Sequence, residues 1–260
     1  FNDRAQSRRT IPQLSTAPPG RVSLIGVGPG VKTLITVEAA EMLERGDALV
    51  IADPEVGQEI LDLVKGELRM PHLGGSCRRR ALDGDAQAAR EVEEWVMEGV
   101  QAGRDVIRLK VGDPFLFQNG GEEMLTYGSL GVESVACPGI SSALAAPLLG
   151  GVPLTHRGVA DVVTICDGEA QSVVDDPPPD SEFTSLVFLG VKRQQVDTIC
   201  QSLISSGHPD KWAAAVENAG MLQQHATLWG TLASIAALAV EAGAGSPAVV
   251  VIGESVDLLV

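Results

Sequence analysis

Residues 108–123 read Arg108-Leu-Lys-Val-Gly-Asp-Pro-Phe-Leu-Phe-Gln-Asn-Gly-Gly-Glu-Glu123, and no other stretch says as much about the fold. It continues the apolar run 105–109, which is typical of a buried strand, and its glycine pair precedes an acidic segment typical of a helix. A plain connection between a strand and a helix is short and polar, whereas this loop carries two phenylalanines. Because open α/β sheets bind ligands at the carboxyl ends of their strands, the loop predicts a binding site.

Apolar, strand-like runs alternate with helical patterns in the sequence before this loop. Val22–Ile25 and Ala48–Ala52 are predicted strands, 67–70 is a weaker candidate strand, and Thr36 is a candidate cap for a helix that begins at Val37. Between them and the loop, the apolar positions of residues 92–100 have the spacing of one helix face, which places Trp95 in the core. Alternating strands and helices predict a mostly parallel sheet with right-handed crossovers.

The pattern changes near Pro138, where a helix of small residues begins and a second set of strands follows. These later strands are predicted at 161–166, 184–189, 212–216 and 248–252, with a polar loop at 167–181 and a hairpin region at 221–229. The sequence therefore predicts an α/β protein divided into a disordered leader or linker (1–20), an N-terminal α/β domain (21–137) and a C-terminal α/β domain (138–260).

Composition restricts the classes of function. The 260 residues carry a net charge of −15, which argues against nucleic acid as the main partner. No run of 18 apolar residues predicts a membrane span. The four cysteines stand apart without a Cys-x-x-Cys pair, which favours free thiols in a reducing, cytoplasmic compartment and argues against a structural zinc site.

Three basic clusters remain candidates for binding an acidic small molecule, since local patches rather than net charge decide such binding. They are Arg78–Arg80, Arg108 with Lys110, and His156 with Arg157. Each is equally well interpreted as a cluster of solvated surface charges.

The glycine-rich segment Gly26-Val-Gly-Pro-Gly30 follows the first predicted strand. A dinucleotide fingerprint would need its third glycine at the position of Val31, and Pro29 removes a backbone donor. The segment therefore fits a nicotinamide dinucleotide poorly, but its glycines still allow close approach of a ligand or of another backbone segment.

Three acidic positions admit both a structural and a chemical interpretation. Asp113 can cap a turn with Pro114, accept hydrogen bonds from a ligand hydroxyl or amine, or, least favoured without clustered carboxylates, bind a metal. Asp53 can be a turn residue or a base at the end of its strand. Glu122 can simply favour a helix N-terminus.

Taken together, these segments resemble the tetrapyrrole methylases, and among them the uroporphyrinogen III C-methyltransferases. The resemblance covers about residues 21–257. It is carried, in order, by Gly26–Gly30, Arg108–Phe117, Gly120–Glu123, Pro138–Ala146, Val152–Arg157 and Gly230–Leu232.

The resemblance implies the two-domain tetrapyrrole methylase fold. In that fold the first domain has a mostly parallel sheet, the second has a mixed sheet, the active cleft lies between them, and the protein is usually a homodimer. It also implies S-adenosylmethionine as methyl donor, S-adenosylhomocysteine as product and no metal. By match to the family motifs, the donor site comprises Pro29, Gly112, Asp113, Leu116, Ser141, Ser142, Leu189, Ala219 and Thr231.

The implied acceptor is uroporphyrinogen III, methylated at two ring carbons to give precorrin-2, which leads to sirohaem or cobalamin. Asp53 is the first choice for the base, and Glu122 and His156 are further catalytic candidates. Asn119, His156 and Arg157 are the candidates for binding the tetrapyrrole substrate.

The sequence also departs from the family pattern, mainly on the substrate side. Asn119 stands where the family has an arginine, Val111 and Leu189 replace a usual glycine and methionine, and Gly75 with Ser76 replaces a Lys-Arg pair. Two alternatives therefore stay open: a methylase of this fold with another acceptor, and a catalytically weak donor-binding module of a larger protein.

Overall fold

A computed structural model describes residues 20–71, 86–218, 226–242 and 248–259. The predicted leader, apart from Gly20, lies outside these residues, as do the cluster Arg78–Arg80 and the candidate Ala219. The described residues form two five-stranded sheets with helices packed on both faces. Among them, no helix is both long and apolar enough to cross a membrane.

The first sheet is parallel throughout, as the alternating pattern predicts. Its strands are β1 (Val22–Gly26), β2 (Leu49–Ala52), β3 (Glu67–Arg69), β4 (Val106–Lys110) and β5 (Ser134–Cys137). They lie in the order β3-β2-β4-β1-β5. Four of the five were predicted; β5 is only four residues long and the sequence pattern does not single it out.

The helices of this half lie on both faces of the first sheet. They are α1 (Val37–Leu43), α2 (Gln58–Leu61), α3 (Ala86–Gln101) and α4 (Gly120–Ser129). The predicted cap of α1 is confirmed, because the Thr36 hydroxyl accepts a hydrogen bond from the Ala39 amide at 3.2 Å. Trp95 packs against the core as predicted, and the Arg69 guanidinium lies 5.8 Å from its ring centroid.

The second sheet is mixed. Its strands are β6 (Val162–Asp167), β7 (Thr184–Val191), β8 (Trp212–Glu217), β9 (Ala226–Thr231) and β10 (Ala248–Ile252), in the order β6-β7-β10-β8-β9. Only the β6–β7 pair is parallel. The helices are α5 (Ser142–Leu149), α6 (Gln171–Asp175), α7 (Arg193–Ser205) and α8 (Ile235–Glu241).

Helix α6 lies in a segment that the sequence predicts as a polar loop. The loop begins with a turn in which the Asp167 carboxylate accepts the Glu169 amide at 3.0 Å. Val173 and Val174 then pack against the core between the second sheet and α7. Packing against the rest of the protein therefore orders a segment whose local sequence favours a loop.

One apolar layer joins the two halves of the chain. Ala143 and Ala146 of α5 pack on the face of the second sheet that includes Leu189. Leu116 and Phe117, from the loop after β4, pack against the same layer. The loop that ends a strand of the first sheet is thereby held against the second sheet, while the predicted domain boundary near residue 138 stays a prediction.

Candidate active site

The two central strands of the first sheet define a crevice. Strands β1 and β4 are neighbours, yet β1 continues into α1 and β4 into α4. The apolar residues of α1 and α4 belong to different core clusters, which lie on opposite faces of the sheet. Because adjacent connections leave in opposite directions, the carboxyl ends of β1 and β4 form the kind of crevice in which α/β sheets bind ligands.

Three glycines pack backbone against backbone at the base of this crevice. They are Gly26 at the end of β1, Gly112 after β4 and Gly139 after β5. A Cβ added to Gly26 would lie 2.5 Å from the Gly139 amide nitrogen and 2.6 Å from the Gly112 carbonyl oxygen. Real side chains do not tolerate such distances, so glycine is required here by the close approach of three chain segments.

The loops after β1 and β4 are also hydrogen-bonded to each other. The Gly112 amide donates to the Gly28 carbonyl at 2.8 Å, and the Gly28 amide donates to the Gly112 carbonyl at 3.3 Å. Both glycines have positive φ, +75° at Gly28 and +70° at Gly112. The segment Gly26–Gly30 fits a dinucleotide fingerprint poorly because its glycines form a turn that packs and hydrogen-bonds against the loop after β4.

Most residues predicted to bind a methyl donor converge on this crevice. Pro29 follows Gly28, Asp113 follows Gly112, and the Cα of Ser141 would lie 3.6 Å from a Cβ at Gly112. Ser142 is the first residue of α5. Leu116 and the 4% exposed Leu189 share the apolar layer that joins the loop to the second sheet.

The last predicted donor-site residue lies elsewhere. Across the second sheet, Leu189 of β7 is in register with Thr227 of β9, which lies three strands away. Thr231 lies four residues further along β9. Strand spacing and rise put that separation at about 14 Å in each direction. The Thr231 amide donates to the Ser234 hydroxyl at 2.9 Å, so its visible role is in the turn before α8.

Two polar candidates in the crevice have local hydrogen bonds. One oxygen of the Asp113 carboxylate accepts the Phe115 amide at 2.7 Å, which is the turn-capping interpretation. The Ser141 hydroxyl accepts the Ala143 amide at 3.2 Å and caps α5. These bonds fix the loops from which the two side chains extend, and the second oxygen of Asp113 can still accept from a ligand.

A buried group of charges lies one strand from the crevice. Asp53 follows β2, and both of its oxygens accept from cations on β4: Arg108 Nη2 at 2.6 Å and Lys110 Nζ at 3.0 Å. Arg108 also donates to the Ile51 carbonyl at 2.9 Å. The side chains of Arg108 and Lys110 are 0% and 2% exposed. The interpretation of these two cations as solvated surface charges is therefore wrong, because both side chains are buried against carboxylates.

Glu123 of α4 completes this group, which we call the charge cluster (Asp53, Arg108, Lys110, Glu123 and Tyr127). Arg108 donates to both Glu123 oxygens at 3.0 Å, Lys110 donates to Oε1, and the Tyr127 hydroxyl donates to Oε2 at 2.9 Å. Burial alone would raise the pKa of Glu123, but Arg108 and Lys110 outweigh it and lower this pKa to about 2. Burial raises the pKa of the Tyr127 hydroxyl.

Sequence reasoning selected Glu122 and missed its neighbour Glu123. Glu122 is exposed in the first turn of α4, whereas the Glu123 side chain is 12% exposed. The two are indistinguishable as sequence letters, but helical spacing carries a signal: Tyr127 is four residues after Glu123, so both lie on one face.

The candidates for substrate binding lie on exposed or left-handed backbone. Asn119 precedes α4 with φ of 55°, and Phe117 two residues earlier has φ of 56°. His156 and Arg157 are exposed in a turn in which the His156 amide donates to the Ala160 carbonyl at 2.9 Å. The His156 ring also has a local hydrogen-bond partner, the Arg157 carbonyl at 3.1 Å. Asn119 adjoins the charge cluster through the backbone, because its carbonyl accepts the Glu123 amide at 3.0 Å in the first turn of α4.

The fold defines an α/β protein built on two five-stranded sheets, with a crevice at the carboxyl ends of β1 and β4. Residues 21–236 match the family model of the tetrapyrrole (corrin/porphyrin) methylases. The chain belongs to this family.

Individual relatives agree with that assignment. The chain is 32% identical over 243 residues to a sirohaem synthase of Chromobacterium violaceum, covering 92% of this chain and 50% of the relative. It is 31% identical over 246 residues to the chloroplastic S-adenosyl-L-methionine-dependent uroporphyrinogen III methyltransferase of Arabidopsis thaliana, covering 92% and 64%. The chain thus spans about half the length of several curated relatives that it matches.

Solved structures confirm the predicted fold. Uroporphyrin-III C-methyltransferase of Thermus thermophilus superimposes with a TM-score of 0.74 at 29% identity, covering 92% of this chain and 96% of that one. The same enzyme complexed with S-adenosylhomocysteine gives 0.70 at 30% identity, covering 91% and 93%.

Proposed function

We propose that this chain is an S-adenosylmethionine-dependent C-methyltransferase that converts uroporphyrinogen III to precorrin-2. The observation that carries the proposal is the glycine-packed crevice at the ends of β1, β4 and β5, where five of the predicted donor-site residues meet. The uroporphyrinogen III methyltransferase of Arabidopsis thaliana and the uroporphyrin-III C-methyltransferase of Thermus thermophilus align with most of this chain, which favours the same chemistry.

The crevice has the character that this donor needs. The loop after β5 is exposed at Pro138 and Ile140, Asp113 offers a carboxylate oxygen for a hydroxyl or amine, and Leu116 with Leu189 offers an apolar wall. When bound, S-adenosylmethionine supplies an electrophilic methyl group that an electron-rich pyrrole carbon can accept. The protein's main contribution is to hold both reactants in line in a water-poor site.

We further propose that Asp53 accepts the proton that the acceptor loses around methylation. Its side chain is 12% exposed, so it can reach a substrate while Arg108 and Lys110 hold both of its oxygens in place. The new bond to the methyl group would form as the methyl–sulfur bond breaks, with that electron pair left on S-adenosylhomocysteine. The acceptor's bond to the departing proton leaves its electron pair in the conjugated ring system, and the proton goes to the carboxylate.

A direct assay tests the proposal. The purified chain, S-adenosylmethionine and enzymatically prepared uroporphyrinogen III should give a product heavier by two methyl groups in mass spectrometry. Asp53→Asn should lower kcat by about 100-fold or more, because it removes a general base. If S-adenosylhomocysteine binds in calorimetry but no methylated tetrapyrrole forms, the proposed activity is wrong.

A weak or silent donor-binding module is the second candidate, favoured by Asn119 in place of the family's arginine. Introducing that charge with Asn119→Arg separates the two candidates within the same assay. A large gain in turnover would indicate a degraded substrate site, and no gain would count against it. The left-handed backbone at Asn119 costs arginine about 1 kcal/mol, so the variant should still fold.

We also propose that the chain forms the homodimer that its family resemblance implies. Helix α5 supports this proposal, because Leu144 and Leu148, one turn apart, are 53% and 79% exposed. Light scattering should give twice the mass of one chain, and Leu148→Lys should shift the protein toward the monomer. A single-chain mass at micromolar concentration would contradict the proposal.

A further inference from the structure

Two carboxylates share the same two buried cations. Arg108 Nη2 lies 2.6 Å from Asp53 Oδ1 and 3.0 Å from Glu123 Oε1, and Lys110 Nζ donates to both side chains as well. Two positive and two negative charges therefore balance within the charge cluster.

The field at Asp53 must depend on the charge of Glu123. Arg108 and Lys110 are almost fully enclosed, so water screens them weakly and their partner carboxylates neutralise them. Among the described residues, the polar contacts of the cluster come from the end of β2 (the Ile51 carbonyl and Asp53), from β4 (Arg108 and Lys110) and from α4 (Glu123 and Tyr127). Without the charge of Glu123, Asp53 alone would face two cations and would be harder to protonate.

We infer that Glu123 is a positioning residue whose negative charge keeps Asp53 able to accept a proton. Glu123 acts through Arg108 and Lys110 and need not touch the substrate. Tyr127, one helical turn later, donates to Glu123 and holds it toward the cations. This inference rests on the proposed function, in which Asp53 receives the proton.

Matched variants separate the effect of the Glu123 charge from the effect of the hydrogen bond that Tyr127 donates to it. Glu123→Gln keeps the shape of the side chain and removes its charge, whereas Tyr127→Phe keeps the charge and removes one hydrogen bond. Lys110→Gln removes a cation and should act in the opposite direction to Glu123→Gln. Glu93→Gln, on the exposed side of α3, is the surface control.

Two measurements test the inference. The first is the pH dependence of kcat/KM, in which Glu123→Gln should move the acid limb to lower pH by about one unit and Lys110→Gln should move it to higher pH. The second is carboxyl carbon NMR of the protein without ligand. The Asp53 resonance, identified by its loss in Asp53→Asn, should shift its titration in the same directions. Tyr127→Phe, which keeps the charge of Glu123, should move both midpoints less than Glu123→Gln does, and Glu93→Gln should leave them in place.

The outcomes are distinguishable. An Asp53 resonance that titrates alike in the wild type and in Glu123→Gln overturns the inference, whatever the activity. No methylated product from the wild type overturns the proposed function, while the NMR titration still decides the electrostatic coupling. If Glu123→Gln does not fold, an unmoved midpoint in Lys110→Gln overturns the inference and an upward shift supports it.

Discussion

Replacing Gly139 with alanine is expected to destabilise the protein by about 3 kcal/mol and to weaken S-adenosylhomocysteine binding at least about tenfold. A Cβ at this position would lie 2.5 Å from the Gly26 carbonyl carbon and closer still to the Gly112 carbonyl oxygen. Both neighbours are backbone, so no side-chain rotation can make room. The loop after β4 must move, and with it Asp113 and the wall of the crevice.

Urea unfolding and calorimetric titration with S-adenosylhomocysteine would measure the two effects. Gly128→Ala is the matched control, because Gly128 is exposed in α4 with open space around its Cβ position. That change should leave binding intact and raise stability by up to about 1 kcal/mol, as alanine does in an exposed helix. Wild-type stability and affinity in Gly139→Ala would show that the three loops are not closely packed in solution.

The order of strands and helices could be predicted because the local spacing of apolar residues indicates most of these elements. Alternation of apolar runs and helical faces predicted the parallel first sheet, and Thr36 marked the start of α1. Helix α6 could not be predicted in the same way, because Val173 and Val174 stabilise it by packing against residues that are distant in the sequence.

The candidate site also contains some residues that the sequence predicted and others that it did not. Matches to the family motifs assigned Pro29, Gly112 and Ser141 to one site. Such motifs reflect contacts between loops, which local apolar patterns do not indicate. The charge cluster had no comparable signal, because Arg108 pairs with Asp53 across 55 residues and with Glu123 across 15. Thr231 stays a prediction, and its motif lies on β9, away from the other candidates on the sheet.

Replacing Arg108 with methionine is expected to destabilise the protein by about 3–5 kcal/mol near neutral pH. Methionine fills a similar volume but leaves the carboxylates of Asp53 and Glu123 to share Lys110 alone. It also leaves the Ile51 carbonyl without the donor that Arg108 supplies at 2.9 Å. Two negative charges with one cation cannot be fully neutralised, and because each carboxylate is only 12% exposed, water compensates weakly.

The pH dependence of this deficit has a definite sign. In the wild type, Glu123 has a pKa lowered to about 2 by Arg108 and Lys110, against the effect of burial. Its contribution to stability is therefore complete above the ordinary pKa of about 4.5 and is lost as the pH falls toward 2. In Arg108→Met the poorly paired carboxylates become protonated as the pH falls, so the difference from the wild type should shrink in acid.

Urea unfolding of both proteins at about pH 7 and about pH 4 would test the magnitude and the sign together. Arg104→Met is the control, since Arg104 is 34% exposed and pairs with Glu67 at 2.7 Å on the surface. That pair should contribute no more than about 1 kcal/mol. Equal losses in the two variants, or a deficit for Arg108→Met that grows in acid, would mean that burial does not set the energetics of the charge cluster. A large deficit confined to neutral pH would instead identify the cluster as the electrostatic support of the loop that carries Gly112 and Asp113.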